Sequence, residues 1–434
     1  MVSLLLQSLY AIVDLLFVRA ISDEAVAGLA ISFQAFFLML AISQVVAATA
    51  LATVSQDYGA GRIERARGAF TSYTIVAMCI GACAALVAYL TADFYVSVFT
   101  QDPEVHRLGV EYFEVNSLTF FSQVMLIVFS NSLRAAGDFK TPMKLVALSV
   151  TINLTLDPLL IFGIGPFPAW GLAGAAWATV IAQIIAQLLY MRLFSTQGGG
   201  ERRLRWTKPT FSRELAHHLL TRGLPAGVQF FLISAVLGIV LAAMRPHDPI
   251  YTSTAGGGFR VFQQVLLPLV ALAAGAGAMA GQNLGAGRFD RIRETARVAL
   301  RWALIYSLAG WAFLHLAGDV LGNLFMQNEN DLPIAGLYFS WTAPGLVAFA
   351  LILISMYVLQ ACGQSVFPLL AALAKLIVLI VLVYVLIPSF VPSFEDTPEW
   401  VFAASMFANF VEGFGGLAFM VIVVKRLAAT HRKS

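Results

Sequence analysis

Residues 55–65 read SQDYGAGRIER and residues 281–291 read GQNLGAGRFDR, with six of eleven paired positions identical at a spacing of 226. LRAAGDFKTP, from Leu133 to Pro142, falls on LQACGQSVFP, from Leu359 to Pro368, at the same spacing. One shared offset over two separate segments means one duplicated unit, and the architecture must accommodate two copies of it.

Each copy is built of apolar runs. Twelve are long enough to cross a bilayer, with approximate limits 2–21, 28–53, 70–91, 110–133, 143–163, 171–193, 221–244, 257–280, 295–317, 334–358, 366–388 and 400–424. A span needs about 20 apolar residues. The chain is 59% hydrophobic and 12% charged, about half the charge of an ordinary soluble domain. The expected fold is therefore an all-α integral membrane protein, with twelve transmembrane helices in two parallel six-helix repeats. The expected divisions are an N-terminal lobe over 1–193, a basic linker over 194–220, a C-terminal lobe over 221–424 and a tail over 425–434.

Of 27 Lys and Arg residues, 22 fall in the even-numbered connections and the tail. Both termini are thus expected in the cytoplasm, with the chain in the cell's inner (plasma) membrane. The net charge of +3 follows from this asymmetry, and no basic run is interleaved with aromatics, so no nucleic-acid partner is expected. The linker around 198–215 reads as a topogenic, lipid-facing connector, with or without a surface helix. Cys79 and Cys83 stand i, i+4 on a span without acidic or His company and read as packing. Phosphate-loop, zincin and nucleophile-elbow motifs are missing from the sequence, and no enzyme or cofactor is expected.

Ionisable residues inside spans are costly and therefore mark function. Asp14 lies about seven residues, roughly 10 Å, from the outer end of span one, and Asp157 about six residues from that of span five. The two carboxylates thus share a depth. Asn153 is on the Asp157 face at i, i+4, and Thr179 lies at a similar depth in span six. Pro158 removes a helix donor and leaves the carbonyl of Leu154 without it, so span five is expected to be irregular beside the cluster. At the repeat offset, Asp14 corresponds to Val240, Asn153 to Leu379 and Asp157 to Val383, so the second half lacks this acidic set. Glu412 in span twelve is a lone acid and a candidate second proton site. Arg260, near the end of span eight, is expected to snorkel outward, with substrate contact as the other reading. Lys375 is expected to reach the inner interface.

The two repeated turns, LRAAGDFKTP after span four and INLTLDPLLIFG in span five resemble, in order and over the whole chain, the multidrug and toxic compound extrusion (MATE) transporters. YGAGRIERARG does not match the loop of a major-facilitator transporter. The resemblance is to the DinF branch, which implies ion coupling at Asp14, Asn153, Asp157 and Thr179 and a substrate contact at Tyr112. The acidic residues of the NorM branch in helices seven and ten have no counterpart here. The family implies an H⁺- or Na⁺-coupled antiporter for lipophilic, cationic small molecules, working as a monomer among membrane lipids. The alternative within the same superfamily is a lipid or polyprenyl-linked precursor flippase. The family's early helix-one proline would fall at position −1, opposite Pro225. An in-frame start further upstream is one expectation, and a first helix without that bend the other.

Overall fold

The computed structural model of the chain describes residues 18, 21–196, 203–244, 249–322, 332–390 and 399–431. The order of elements is α1 (Asp23–Gly59), α2 (Ile63–Leu90), α3 (Ala92–Ser97), α4 (Pro103–Ala135), α5 (Lys140–Phe162), α6 (Gly171–Ser195) and α7 (Arg213–His218). A π-helical turn (Leu219–Gly223) leads into α8 (Leu224–Met244), α9 (Pro249–Gly285), α10 (Phe289–Leu316) and α11 (Gly318–Gly322). There follow α12 (Leu332–Thr342), α13 (Gly345–Ala361), α14 (Val366–Val381), a second π-turn (Leu382–Leu386), α15 (Ile387–Phe390) and α16 (Trp400–His431). Among the described residues ten helices are long and apolar enough to cross a membrane, and α12 with α13, bent by 41°, makes an eleventh. The first span of the sequence lies outside the described residues.

The chain divides into two compact units, Met1–Gly227 and Val228–Ser434. Their shared ancestry is visible in the turns. Ala60, Gly61 and Arg62 donate backbone N–H groups to the carbonyls of Gln56, Tyr58 and Asp57 at 3.0, 3.1 and 2.9 Å. Ala286, Gly287 and Arg288 donate to Gln282, Leu284 and Asn283 at 3.0, 3.0 and 2.8 Å. Gly61 has φ 74° and Gly287 φ 67°; Gly137 has φ 92° and Gly363 φ 78°. Each pair is separated by the repeat offset. A left-handed residue after the helix lets its N–H groups satisfy the last carbonyls, and glycine adopts that conformation without a Cβ penalty. The duplicated sequence is thus the code for two helix terminators used twice. The copies differ in charge: Asp57 accepts from Arg62 Nε at 2.9 Å, whereas Asn283 donates its amide to the Met279 carbonyl at 2.9 Å.

The linker departs from the expected lipid-facing connector. Residues 203–212 form an extended strap on the N-terminal unit. The buried guanidinium of Arg67 donates through Nε (3.0 Å) and Nη2 (2.8 Å) to the carbonyl of Arg203. Thr207 and Thr210 donate backbone N–H groups to Thr71 Oγ1 (3.2 Å) and Ser72 Oγ (2.7 Å). Leu204 is buried, and Trp206 stacks on Phe70 at 5.1 Å between centroids, with Phe194 and Phe129 edge-on at 5.4 and 6.0 Å. Apolar burial, ring geometry and these hydrogen bonds therefore hold this strap, and Arg205 and Lys208 are exposed. Trp206→Ala is expected to cost about 3 kcal/mol, the lower end for a large aromatic because the ring is only half-buried. Limited proteolysis should then cut the variant within 203–212, where the parent resists.

Span five also differs from expectation: α5 runs unbroken through Pro158. The proline is four residues from the end of the helix at Phe162, where left-handed Gly163 (φ 70°) terminates it. Only one helical turn follows the lost donor, so the helix need not break.

Candidate functional site: a polar cluster between α5 and α6

The helix α6 begins GLAGAAWAT, and this run of small residues lets α5 approach closely. A Cβ on Gly174 would lie 2.4 Å from the Leu160 carbonyl oxygen and 2.9 Å from the Ile161 nitrogen. The Trp170 N–H donates to the same carbonyl at 2.9 Å, and Ser149 Oγ donates to the Ala182 carbonyl at 3.3 Å. These contacts set an antiparallel register in which residue 160 faces 170–174 and residue 149 faces 182. Asn153 is thereby brought opposite Thr179.

Asp157 is fully buried and Asn153 is 4% exposed. The Asn153 amide is oriented with its nitrogen donating to Asp157 Oδ2 at 3.2 Å. Its oxygen accepts from the backbone N–H of Thr179 at 3.1 Å, with the Thr179 hydroxyl 3.3 Å away. The hydroxyl also lies 3.2 Å from the Ala175 carbonyl, to which it can donate. The cluster therefore presents a carboxylate, an amide oxygen and a hydroxyl within one helix pair, all hard oxygen donors with one carboxylate oxygen oriented by the amide. Such a set suits a small cation or a proton.

Of the residues expected here, Asn153, Asp157 and Thr179 are brought together. Asp14 lies outside the described residues. Tyr112, on α4, is 8% exposed and packs with Ile161, Leu172, Ala175 and Ala176, one turn from Asp157 and Thr179. It is a wall of this neighbourhood. Arg260 stands on an exposed part of α9 in the other unit. The repeat equivalents Leu379 and Val383 are 0% and 2% exposed and belong to an apolar core, so the second unit fills the corresponding positions with hydrocarbon.

Two expectations about the second unit are corrected. Lys375 does not reach an interface: it is buried, and its Nζ lies 3.0 Å from Glu412 Oε2. Glu412 is consequently not a lone acid. A signal for this was present, because Lys375 is the tenth residue of α14, roughly 13 Å along the axis, farther than its side chain extends.

The MatE family model matches residues 1–159 and again 225–385, one match in each half. The chain is 26% identical over 377 residues to the probable multidrug resistance protein YoeA of Bacillus subtilis, covering 85% of this chain and 80% of that one. It is 25% identical to an FAD transporter of Shewanella oneidensis, covering 85% and 82%. A crystal structure of MATE in complex with MaL6 superposes with a TM-score of 0.90 at 19% identity, over 99% of this chain and 95% of that one, and shares the fold. With the duplicated helical halves and both family matches in register, this multi-pass membrane protein belongs to the MatE family of transporters.

Proposed function

We propose that the protein is a cation-coupled efflux antiporter of the cell's inner membrane, with both termini in the cytoplasm, and that its coupling site is Asp14, Asn153, Asp157 and Thr179. The observation that carries the reading is the fully buried Asp157, held by Asn153 beside Thr179, where the positions equivalent to Asn153 and Asp157 are the apolar Leu379 and Val383. A buried intramembrane carboxylate needs a counter-charge or a proton, and supplying it from the outer solution is what ties its state to an ion gradient. Asn153 and Thr179 add neutral oxygens that suit Na⁺ as well as H⁺.

Relatives named for multidrug resistance support small-molecule export; the substrates in this reading are lipophilic, cationic small molecules, exported as the N-terminal six-helix lobe exchanges its ion and the transporter alternates its access. Tyr112 lines the substrate side of the ion cluster, and the protein acts as a monomer. Arg260, exposed on α9, is a weaker candidate contact.

The test is efflux of a fluorescent lipophilic cation from proteoliposomes, with a proton gradient and a sodium gradient imposed separately. One gradient should drive efflux, and Asp157→Asn should reduce it at least 100-fold while the purified variant stays folded. Undiminished efflux in Asp157→Asn would remove the cluster from the mechanism. Failure of both gradients to drive the wild type would remove the antiporter.

A further inference from the structure

The C-terminal unit holds a charged pair that this scheme leaves unused. Lys375 on α14 and Glu412 on α16 meet at 3.0 Å with side chains 4% and 3% exposed. Both charged side chains of this pair are shielded from water. The Lys375 ammonium also lies 5.6 Å from the centroid of Phe349, which packs edge-on against Phe262. A carboxylate and an aromatic face are the two groups that recognise an ammonium ion in an apolar setting.

The position of the pair is informative. In the duplication, α14 corresponds to α5 and α16 to α6, the helices that hold Asn153, Asp157 and Thr179. Lys375 falls on Ser149, one turn from Asn153. The two units thus each place one buried acid on the same pair of helices, and in the second a lysine on the neighbouring helix lies against it. Glu412 also has capacity to spare: its Oε1, and Oδ1 of Asn409 one turn earlier on α16, are buried with no hydrogen-bond partner among the described residues. These oxygens would ligate an ion if the ammonium were gone.

We propose that Lys375 is a tethered cation, which occupies the carboxylate of the C-terminal unit in place of a solution ion and so confines ion coupling to the N-terminal unit. The proposal rests on the coupling-site reading above. A buried carboxylate must be neutralised by something. At Asp157 the neutralising charge comes and goes with the gradient. At Glu412 it is covalently attached to the neighbouring helix, so it neither leaves nor reports an ion concentration. Lys375 is thereby a specificity-determining residue that fixes how many ions are carried in each cycle.

The experiment counts ions bound by the full chain in lipid nanodiscs, as radioactive sodium bound at saturation and as protons taken up in weakly buffered solution. Lys375→Met should bind one ion more than wild type, because Glu412 and Asn409 become an open site. Lys375→Met/Glu412→Gln should return to the wild-type number. An unchanged number in Lys375→Met, or a loss in the double variant, would overturn the proposal. Should Lys375→Met fail to fold, the double variant decides by itself: a count equal to wild type supports the tethered cation, and a lower count shows that the pair carries a coupling ion. Asp157→Asn is measured alongside. If it binds as many ions as wild type while Lys375→Met gains one, the N-terminal assignment fails and the role of Lys375 at Glu412 stands.

Discussion

Gly174→Val is expected to abolish gradient-driven transport without altering any polar side chain of the cluster. Even the first carbon of the new side chain would sit 2.4 Å from the Leu160 carbonyl oxygen, against backbone that has no rotamer to adopt. Contact needs roughly 3.5 Å, so α5 and α6 must part by about 1 Å. Overpacking of this kind costs typically 1–3 kcal/mol, and a clash with backbone belongs at the upper end. Thr179 is five residues along α6 from Gly174, roughly 7.5 Å. Its 3.1 and 3.3 Å contacts with Asn153 cannot survive a 1 Å separation as hydrogen bonds. Thermal unfolding in detergent and proteoliposome efflux check the two parts, and Gly174→Ala should show the same effects more weakly. Wild-type efflux in Gly174→Val would mean that Thr179 does not need Asn153.

The second large effect concerns stability. Lys375→Met leaves Glu412 buried and unpaired, and breaking a buried pair by removing one member costs about 3–5 kcal/mol. Replacing both members with neutral side chains of similar volume is often close to neutral, so Lys375→Met/Glu412→Gln should recover most of the loss. If Glu412 then binds an ion from solution, the single variant's unfolding temperature rises with the concentration of that ion. By mass action, an ion at about 100 times its dissociation constant restores about 2.7 kcal/mol. The wild type should show no such added dependence. Equal destabilisation of the single and double variants would mean that the pair is held by packing around Glu412 and not by its charge.

The spans and their terminators were legible because each rests on a local rule. Apolar length marks a helix that lipid can solvate, and a glycine at the repeat offset marks the one residue free to turn left-handed. The cluster at Asn153, Asp157 and Thr179 was legible for a related reason: helical spacing fixes depth and face, and Asp157 has no cheap place in a bilayer. What escaped were pairings between distant segments. Lys375 and Glu412 are 37 residues apart on antiparallel helices, and nothing local in either marks the other as its partner. Trp206 and Leu204 were obscured by the basic residues around them, although two large apolar side chains in a charged linker are a sign that part of it is buried. The bend between α12 and α13 coincides with Pro344, which the continuous hydropathy of 334–358 had masked. The continuity of α5 past Pro158 shows the opposite error, a local rule applied too near a helix end to matter.

The docked strap also bears on how the protein is made. The aromatic box of Phe70, Phe129 and Phe194 is supplied by the first six spans, yet its closing ring, Trp206, is translated only after all of them. Chains emerge N-terminus first at about 5–20 residues per second. The first lobe therefore remains open at this end until the ribosome has begun the connection to the second, and the connection completes one half of the protein before it starts the other.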